Sequence, residues 1–402
     1  MAKVTIPLGP QHPALKEPAN FALSLDGERI IGAAVNLGYN HRGIEKACES
    51  RNYTQTLYLI ERICGICSHS HSTAFARAVE EVAGVEVPIR AEWIRTLVAE
   101  LERLHSHMLW LGVAGHELGF DTLFMVSWRD RELVLDLLSK ITGNRVNYGV
   151  NKLGGVRCDI TQEHIDLIKP VLDQLDESIK YYIELVTNER TLAARMLGVG
   201  TLNYDDAVAY GASGPVARAA GVNRDTRRDD PYAAYPEIPF NVIIDDHADV
   251  YGRAVVRALE LVESVKIIRF ILDNLPDGPL ETRVPRRIPE GEAFSRYEAP
   301  RGEDVHYIKG NGTDKPERVK VRAPTMANAA SVALMLQGSY LADVPIIVAA
   351  IDPCFSCTDR TISVVDYSSG REGTLDWQAL RKYSIDWYRS QGIAFDDLSR
   401  RM

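Results

Sequence analysis

The chain has 402 residues, 46% of them hydrophobic and 25% charged, and a formal net charge of −9. That acidic balance excludes broad nucleic-acid binding, which needs a basic surface, while the length allows one large domain or two packed lobes. The most apolar run, "VPIIVAAI" (344–351), is far too short to cross a bilayer, and "MAKVTIPLGP" has neither a signal-peptide nor a lipidation pattern.

In chain order, "FALSL" and "RIIGAAVNL" flank Asp26-Gly27 and predict a β-hairpin. Apolar residues then recur at Ile94, Leu97, Val98, Leu101, Leu104, Met108 and Leu111, one face of a long helix. Residues 130–142 predict another helix, and "HIDLIKPVLDQLDESIKYYIELV" a third, kinked at Pro170. A fourth runs from about Asp249 to Leu275, where Pro276 stops it. The polar stretch "NRDTRRDDPYAAYPEIPF" (223–240) reads as an exposed loop. Further on, "EDVHYIKG" and "ERVKVRAP" predict paired strands, a helix follows Pro324, and the apolar run 344–351 reads as a strand entering Cys354. Beyond Arg360, "TISVVDY" predicts a strand and "DWQALRKYSIDWYRSQ" a helix capped by Asp376. The expected fold class is mostly α (α+β): a central long-helix bundle with small β elements from the N- and C-terminal regions. A single domain over 1–402 would comprise a hairpin region (1–45), a helical bundle (46–290) and a mixed C-terminal region (291–402).

Four of the six cysteines fall in two C-x-x-C pairs, Cys64/Cys67 in "RICGICSHSH" and Cys354/Cys357 in "DPCFSC"; Cys48 and Cys158 stand apart and read as buried small apolar residues. A structural zinc site is the ordinary fate of two such pairs, but zinc usually staples neighbouring segments, and these lie in the first and last quarters of the chain. A redox dithiol would need a βαβ context that neither pair has, and an iron–sulfur cluster more often takes a clustered run. A soft four-thiolate site for a catalytic metal remains, with Arg62, His69 and His71 offsetting the thiolate charge.

The motifs R-x-C-G-x-C-x-x-x-H and D-P-C-x-x-C resemble the two signatures of nickel–iron hydrogenase large subunits. Further segments, in order, resemble the group 4, energy-converting membrane-bound branch that shares ancestry with respiratory complex I: "GPQHPALKEP", "GYNHRGIEK", "ELERLHSHMLWLG", "GNRVNYG", "GGVRCDI", "GPVARAAG" and "RYEAPRGEDVHY". The resemblance implies the large-subunit fold and reversible reduction of protons to dihydrogen. It implies nickel held by Cys64, Cys67, Cys354 and Cys357, with Cys67 and Cys357 bridging to an iron that carries carbon monoxide and cyanide. It also implies a catalytic Arg301 above the metals, Glu17 passing protons from a terminal cysteine, His71 orienting the first cysteine pair, and Asp121 and Asp352 supporting Arg301.

Since no cysteines remain for an electron relay, the resemblance implies a small subunit bearing an iron–sulfur cluster. Complex I-like hydrophilic subunits, antiporter-like membrane subunits and an electron donor such as ferredoxin complete the implied partners, at the cytoplasmic face of the cell membrane. Arg360 stands where soluble relatives end the second motif in histidine, which leaves open the extra metal (Mg) that histidine would bind. Residues 361–402 are then either a processed extension or a retained part of the fold. The alternative function is a complex I-like quinone-site subunit without metal, a lineage that has lost the four cysteines.

Overall fold

The computed structural model describes residues 4–358, 362–366, 371–375 and 377–392. Strands β1 (Val4–Leu8), β2 (Asn20–Asp26) and β3 (Arg29–Asn36) form an antiparallel sheet in that order. The expected hairpin is β2–β3. Asp26 pairs with Arg29, so the turn is Gly27-Glu28, and Gly27 takes the left-handed φ of 63° that a tight turn requires. Alternation buries Phe21, Leu23 and Leu25 on one face.

Short helices α1 (Ile44–Cys48) and α2 (Tyr53–Glu61) lead to α3 (Ser68–Ala83), α4 (Ile89–Glu117) and α5 (Asp121–Thr142). A two-stranded ribbon, β4 (Asn151–Lys152) and β5 (Gly155–Val156), precedes α6 (Gln162–Asn188), in which Pro170 lies inside an unbroken helix. Then come α7 (Arg190–Met196), α8 (Tyr204–Ala209), α9 (Pro215–Arg218), α10 (Thr226–Asp229) and the long α11 (Val250–Asn274), capped by Asp249. Helix α4 packs on α5 and α11, and α11 on α6, which makes α4 the centre of the bundle. Its apolar stripe is buried, as the periodicity predicts, but so are Glu100, Glu102, Arg103, His105, Ser106 and His107. A helix buried all round needs a partner for every such group, and the rest of the chain supplies most of them.

Strands β6 (Gly291–Ala299), β7 (Gly302–Gly310) and β8 (Arg318–Arg322) form a second antiparallel sheet; β7 and β8 are the expected pair, and β6 adds a strand that the sequence pattern did not reveal. Helix α12 (Pro324–Leu336) follows Pro324 as expected. The run expected as a strand is instead helix α13 (Val344–Ala350). Periodicity cannot separate a buried strand from a buried helix when every residue is apolar, and Pro345 in the first turn suits a helix start. Strand β9 (Ile362–Asp366) pairs antiparallel with β10 (Arg371–Leu375), and α14 (Trp377–Ser390) matches the last expected helix; its expected cap, Asp376, lies outside the described residues.

The stretch 223–240 is not an exposed loop. It contains α10 and a 3-10 turn at Tyr235–Glu237, and Asp225, Arg227, Tyr232 and Tyr235 are buried. Arg227 donates to Asp225 Oδ2 at 2.7 Å and to Glu100 Oε1 at 3.2 Å, so its charge enters the core already paired. Tyr232 packs against Tyr297 with ring centroids 4.8 Å apart. Charge and proline density suggested solvent because the partners come from distant segments.

Candidate metal centre

The two cysteine pairs meet. Cys64 and Cys67 lie in the loop joining α2 to α3, with Cys67 at the N-cap of α3, while Cys354 precedes and Cys357 ends a single 3-10 turn just past α13. All four are buried. Cys354 Sγ is 3.2 Å from Cys64 Sγ and 2.9 Å from Cys357 Sγ, and Cys67 Sγ is 3.9 Å from Cys357 Sγ.

Several polar contacts hold the two loops in register. Glu102, reaching from α4, accepts from the backbone N–H of His69 (2.7 Å) and Ser70 (3.0 Å) and from the Ser70 hydroxyl, which fastens the first turn of α3. Burial pushes its carboxyl up to about 7, against these hydrogen bonds. Arg42 donates to Ile63 O at 2.6 Å and Ser356 O at 2.9 Å, one cation tying both cysteine loops. The Cys354 N–H donates to Thr325 Oγ1 at 3.0 Å.

Arg301 occupies the two-residue turn of the β6–β7 hairpin, between the paired Ala299 and Gly302. Its Nη2 donates to Asp352 Oδ1 at 2.8 Å, its Nε to Asp352 O at 2.9 Å and its Nη1 to Ser106 Oγ at 3.1 Å. Burial opposes the guanidinium charge, but Asp352 and the cysteine sulfurs outweigh it, so Arg301 stays protonated. The hairpin tip sits directly on the start of α9. A Cβ on Gly214 (φ 63°) would stand 2.4 Å from Gly302 Cα, so this approach requires glycine. Asp352 has φ 53°, a left-handed residue immediately before Pro353 and Cys354.

His71, Asp304 and His306 form a second buried cluster. His71 Nε2 lies 3.4 Å from Cys357 Sγ, and its Nδ1 is 3.0 Å from Asp304 Oδ2, which also contacts His306 Nε2 at 3.1 Å. Burial disfavours the imidazolium, yet Asp304 wins and raises His71. Glu17 is half-buried and accepts from the Ser356 N–H (2.8 Å) and hydroxyl (2.6 Å), with Oε1 at 4.0 Å from Cys354 Sγ. A cavity of about 390 Å³ is lined by Glu17, Trp110, Arg301, Asp352 and Cys354 among others.

Of the sequence-predicted residues, Cys64, Cys67, Cys354, Cys357, Arg301, Asp352, Glu17 and His71 are thus brought together. Several expectations are corrected. The His71 ring reaches the second cysteine pair through Cys357, because α3 turns it across the cleft toward β7, and only its backbone N–H meets the first pair, at Cys67 O (3.3 Å). Asp121 starts α5 on the exposed surface, paired with His116 at 2.7 Å, and does not touch Arg301; Ser106 and Asp352 do. Arg62 points outward to Tyr58 O, and His69, pushed down to about 3 chiefly by burial, is neutral, so neither offsets thiolate charge. Arg301 does so instead. Cys48 is buried as expected, whereas Cys158 is only half-buried. Sequence reasoning missed Arg42, Glu102, Ser106, Asp304 and His306. One signal was available: Asp304 and His306, two apart in "EDVHY", share a strand face.

The donor set fits a nickel-type centre. Cys64, Cys67 and Cys357 each offer a sulfur within 4.8 Å of the others, and soft thiolates suit such a metal. The other three thiols hydrogen-bond to Cys64 and lower it well below the ordinary thiol range, whereas burial first of all pushes Cys357 well up. Four buried thiolates together are costly, and a bound cation would offset that cost.

Two cysteine loops that bring their sulfurs together, with an arginine on a hairpin tip lining the same cavity as Cys354, are the arrangement of a hydrogenase-type large subunit. Comparison with known proteins agrees. Residues 117–288 and 284–360 match the family described as respiratory-chain NADH dehydrogenase, 49 Kd subunit, and residues 42–115 match nickel-dependent hydrogenase. The chain is 42% identical to the membrane-bound hydrogenase subunit alpha of Pyrococcus furiosus, over 95% of this chain and 93% of that one. It is 40% identical to the carbon monoxide-induced hydrogenase of Rhodospirillum rubrum, over 90% of this chain and 100% of that one. A chain of the solved membrane-bound sulfane sulfur reductase, an archaeal respiratory membrane complex, superimposes with TM-score 0.85 at 33% identity, covering 89% of this chain and 98% of that one. The chain belongs to the family of group 4 membrane-bound nickel–iron hydrogenase large subunits, related to the 49 kDa subunit of complex I, and is an oxidoreductase of the hydrogenase type.

Proposed function

We propose that the chain is the catalytic subunit of a membrane-bound nickel–iron hydrogenase that reversibly reduces protons to dihydrogen, coupled through partner subunits to ion translocation. The observation that carries this reading is the convergence of four buried cysteine sulfurs beside the paired Arg301. In it, Cys64, Cys67, Cys354 and Cys357 would hold a nickel–iron centre of the kind whose iron carries carbon monoxide and cyanide. Bound there, such a centre would supply the redox chemistry that interconverts protons and dihydrogen.

The chain's own residues do the rest. Arg301 presents a fixed positive charge beside the sulfurs, its planar fork locked by Asp352 and Ser106. Glu17 stands beside the Cys354 sulfur in the wall of the cavity, so its carboxyl can take a proton at Oε1 and pass it outward. His71 directs Nε2 at the Cys357 sulfur with Asp304 behind it.

No helix among the described residues is long and apolar enough to cross a membrane. The proposed place, drawn from membrane-bound relatives, is the cytoplasmic face of the cell membrane, on antiporter-like membrane subunits. A small subunit with an iron–sulfur cluster and complex I-like hydrophilic subunits would carry electrons from a donor such as ferredoxin. The complex I-like alternative without metal draws on 37% identity to an NADH-quinone oxidoreductase chain of Clostridium beijerinckii. The retained cysteine quartet speaks against it.

Nickel and iron analysis of the anaerobically purified complex, with hydrogen evolution from a reduced donor, tests the proposal. Both metals and activity are expected, and Cys67→Ser should lose all three. Hydrogen evolution that survives Cys67→Ser would overturn the assignment.

A further inference from the structure

Helix α11 carries two fully buried arginines one turn apart, Arg253 and Arg257. Buried guanidinium groups are costly unless paired, and these are poorly provided for. Arg257 Nη1 donates to Arg253 O at 3.0 Å, but its Nε and Nη2, and all three nitrogens of Arg253, have no hydrogen-bond partner among the described residues. An acceptor of opposite sign is in the same condition: Asp352 gives Oδ1 to Arg301, while its buried Oδ2 has no partner among them either.

The two orphans stand on one wall. The Arg257 guanidinium carbon lies 4.3 Å from the centroid of the Trp110 ring. Trp110 Nε1 donates to Ala349 O at 2.7 Å, and the same carbonyl accepts the Asp352 N–H at 2.8 Å. One oxygen at the end of α13 thus indexes both the ring under Arg257 and the backbone of Asp352. Burial pulls Arg257 down to about 10, and the group that opposes this most is Asp352. Arg253 is pulled down to about 9, and the acid opposing it is Asp249, the N-cap of α11 one turn before it.

We propose that Arg257 is a positioning residue for the metal centre, holding Asp352 through Oδ2 over ordered water, while Arg301 holds it through Oδ1. The inference rests on the hydrogenase reading. Asp352 is a left-handed residue immediately before Pro353 and Cys354, so a second cation that fixes its carboxylate fixes both the Arg301 fork and the start of the second cysteine loop.

The test compares Arg257→Gln, Arg257→Lys, Arg253→Gln and Asp352→Asn in the whole complex, reading metal content, the infrared stretch of iron-bound carbon monoxide, and turnover. Arg257→Gln is expected to keep nickel and iron, shift the infrared band in the same direction as Asp352→Asn, and lower turnover about 10- to 100-fold. Arg257→Lys should recover part of both effects, since it keeps the charge without the fork. Arg253→Gln, equally buried but facing Asp249, should match the parent. A parent-like band and turnover in Arg257→Gln overturn the proposal, as does an equal change in Arg257→Gln and Arg253→Gln, which would mark a general effect of buried charge. If Arg257→Gln does not assemble, a parent-like Arg257→Lys overturns it too. A parent complex without nickel and without the band refutes the hydrogenase reading itself, a separate outcome.

Discussion

Arg301 and Glu17 show how far a single side chain can be assigned a job here. Arg301 is fully paired, to Asp352 and Ser106, and its exposure is 2%, which rules out a surface ion pair with Glu298 or Glu303. Arg301→Lys keeps the charge but cannot make three contacts in one plane. Metal content should hold while turnover falls by about two to three orders of magnitude, the usual cost of losing a fixed electrostatic donor. Equal turnover in a fully metallated variant contradicts the role. Glu17→Gln keeps the bonds from Ser356 in shape but cannot exchange a proton readily. Hydrogen evolution should drop sharply while para- to ortho-hydrogen conversion, confined to the centre, survives; parallel loss of both would indicate a damaged centre. At this scale the four cysteines were legible from their paired spacing, and Arg301 and Glu17 only through the family resemblance of the motifs that contain them. Arg42, Ser106 and Arg257 were not, because an arginine or serine on a helix or loop reads as solvated until its distant partner is known.

Among elements, α4 teaches the most. Its segment "ELERLHSHM" has the charge density of a solvent face, yet every polar group in it is buried. Periodicity found the helix; it could not find the partners, which come from α3, α10, α11 and the β6–β7 hairpin. Run 344–351 failed for the opposite reason, being apolar at every position, so that no period distinguished helix from strand. Glu102 gives a test at this scale. Its folded carboxyl, raised by burial to about 7 from 4.5, binds a proton more tightly than in the unfolded chain. That contribution to stability is fully present below about pH 4.5 and is lost as pH rises through about 7. The metal-free chain should therefore lose on the order of 3 kcal/mol across this window through Glu102, and Glu102→Gln should flatten the dependence in thermal melts between pH 5 and 8. An unchanged slope in the variant removes Glu102 as its source.

Over the whole molecule, a network of buried charge joins the bundle to the hairpin that carries Arg301. Arg218 bridges Glu260 of α11 at 2.7 Å and Glu298 of β6 at 2.8 Å, and His107 of α4 meets Glu260 at 2.8 Å. Breaking one buried partner in such a network costs about 3–5 kcal/mol, so the position of the site is coupled to the integrity of the core. The helical bundle, the β2–β3 hairpin and the β7–β8 pair were readable from pattern, whereas this ionic framework was not, since its members lie far apart in sequence. The central claim is that the cysteine quartet holds a nickel–iron centre whose iron carries diatomic ligands. An infrared spectrum of the anaerobically purified complex tests it most directly. The account predicts bands of metal-bound carbon monoxide and cyanide that disappear in Cys357→Ser. A protein with zinc in the quartet, no iron and no such bands would contradict it.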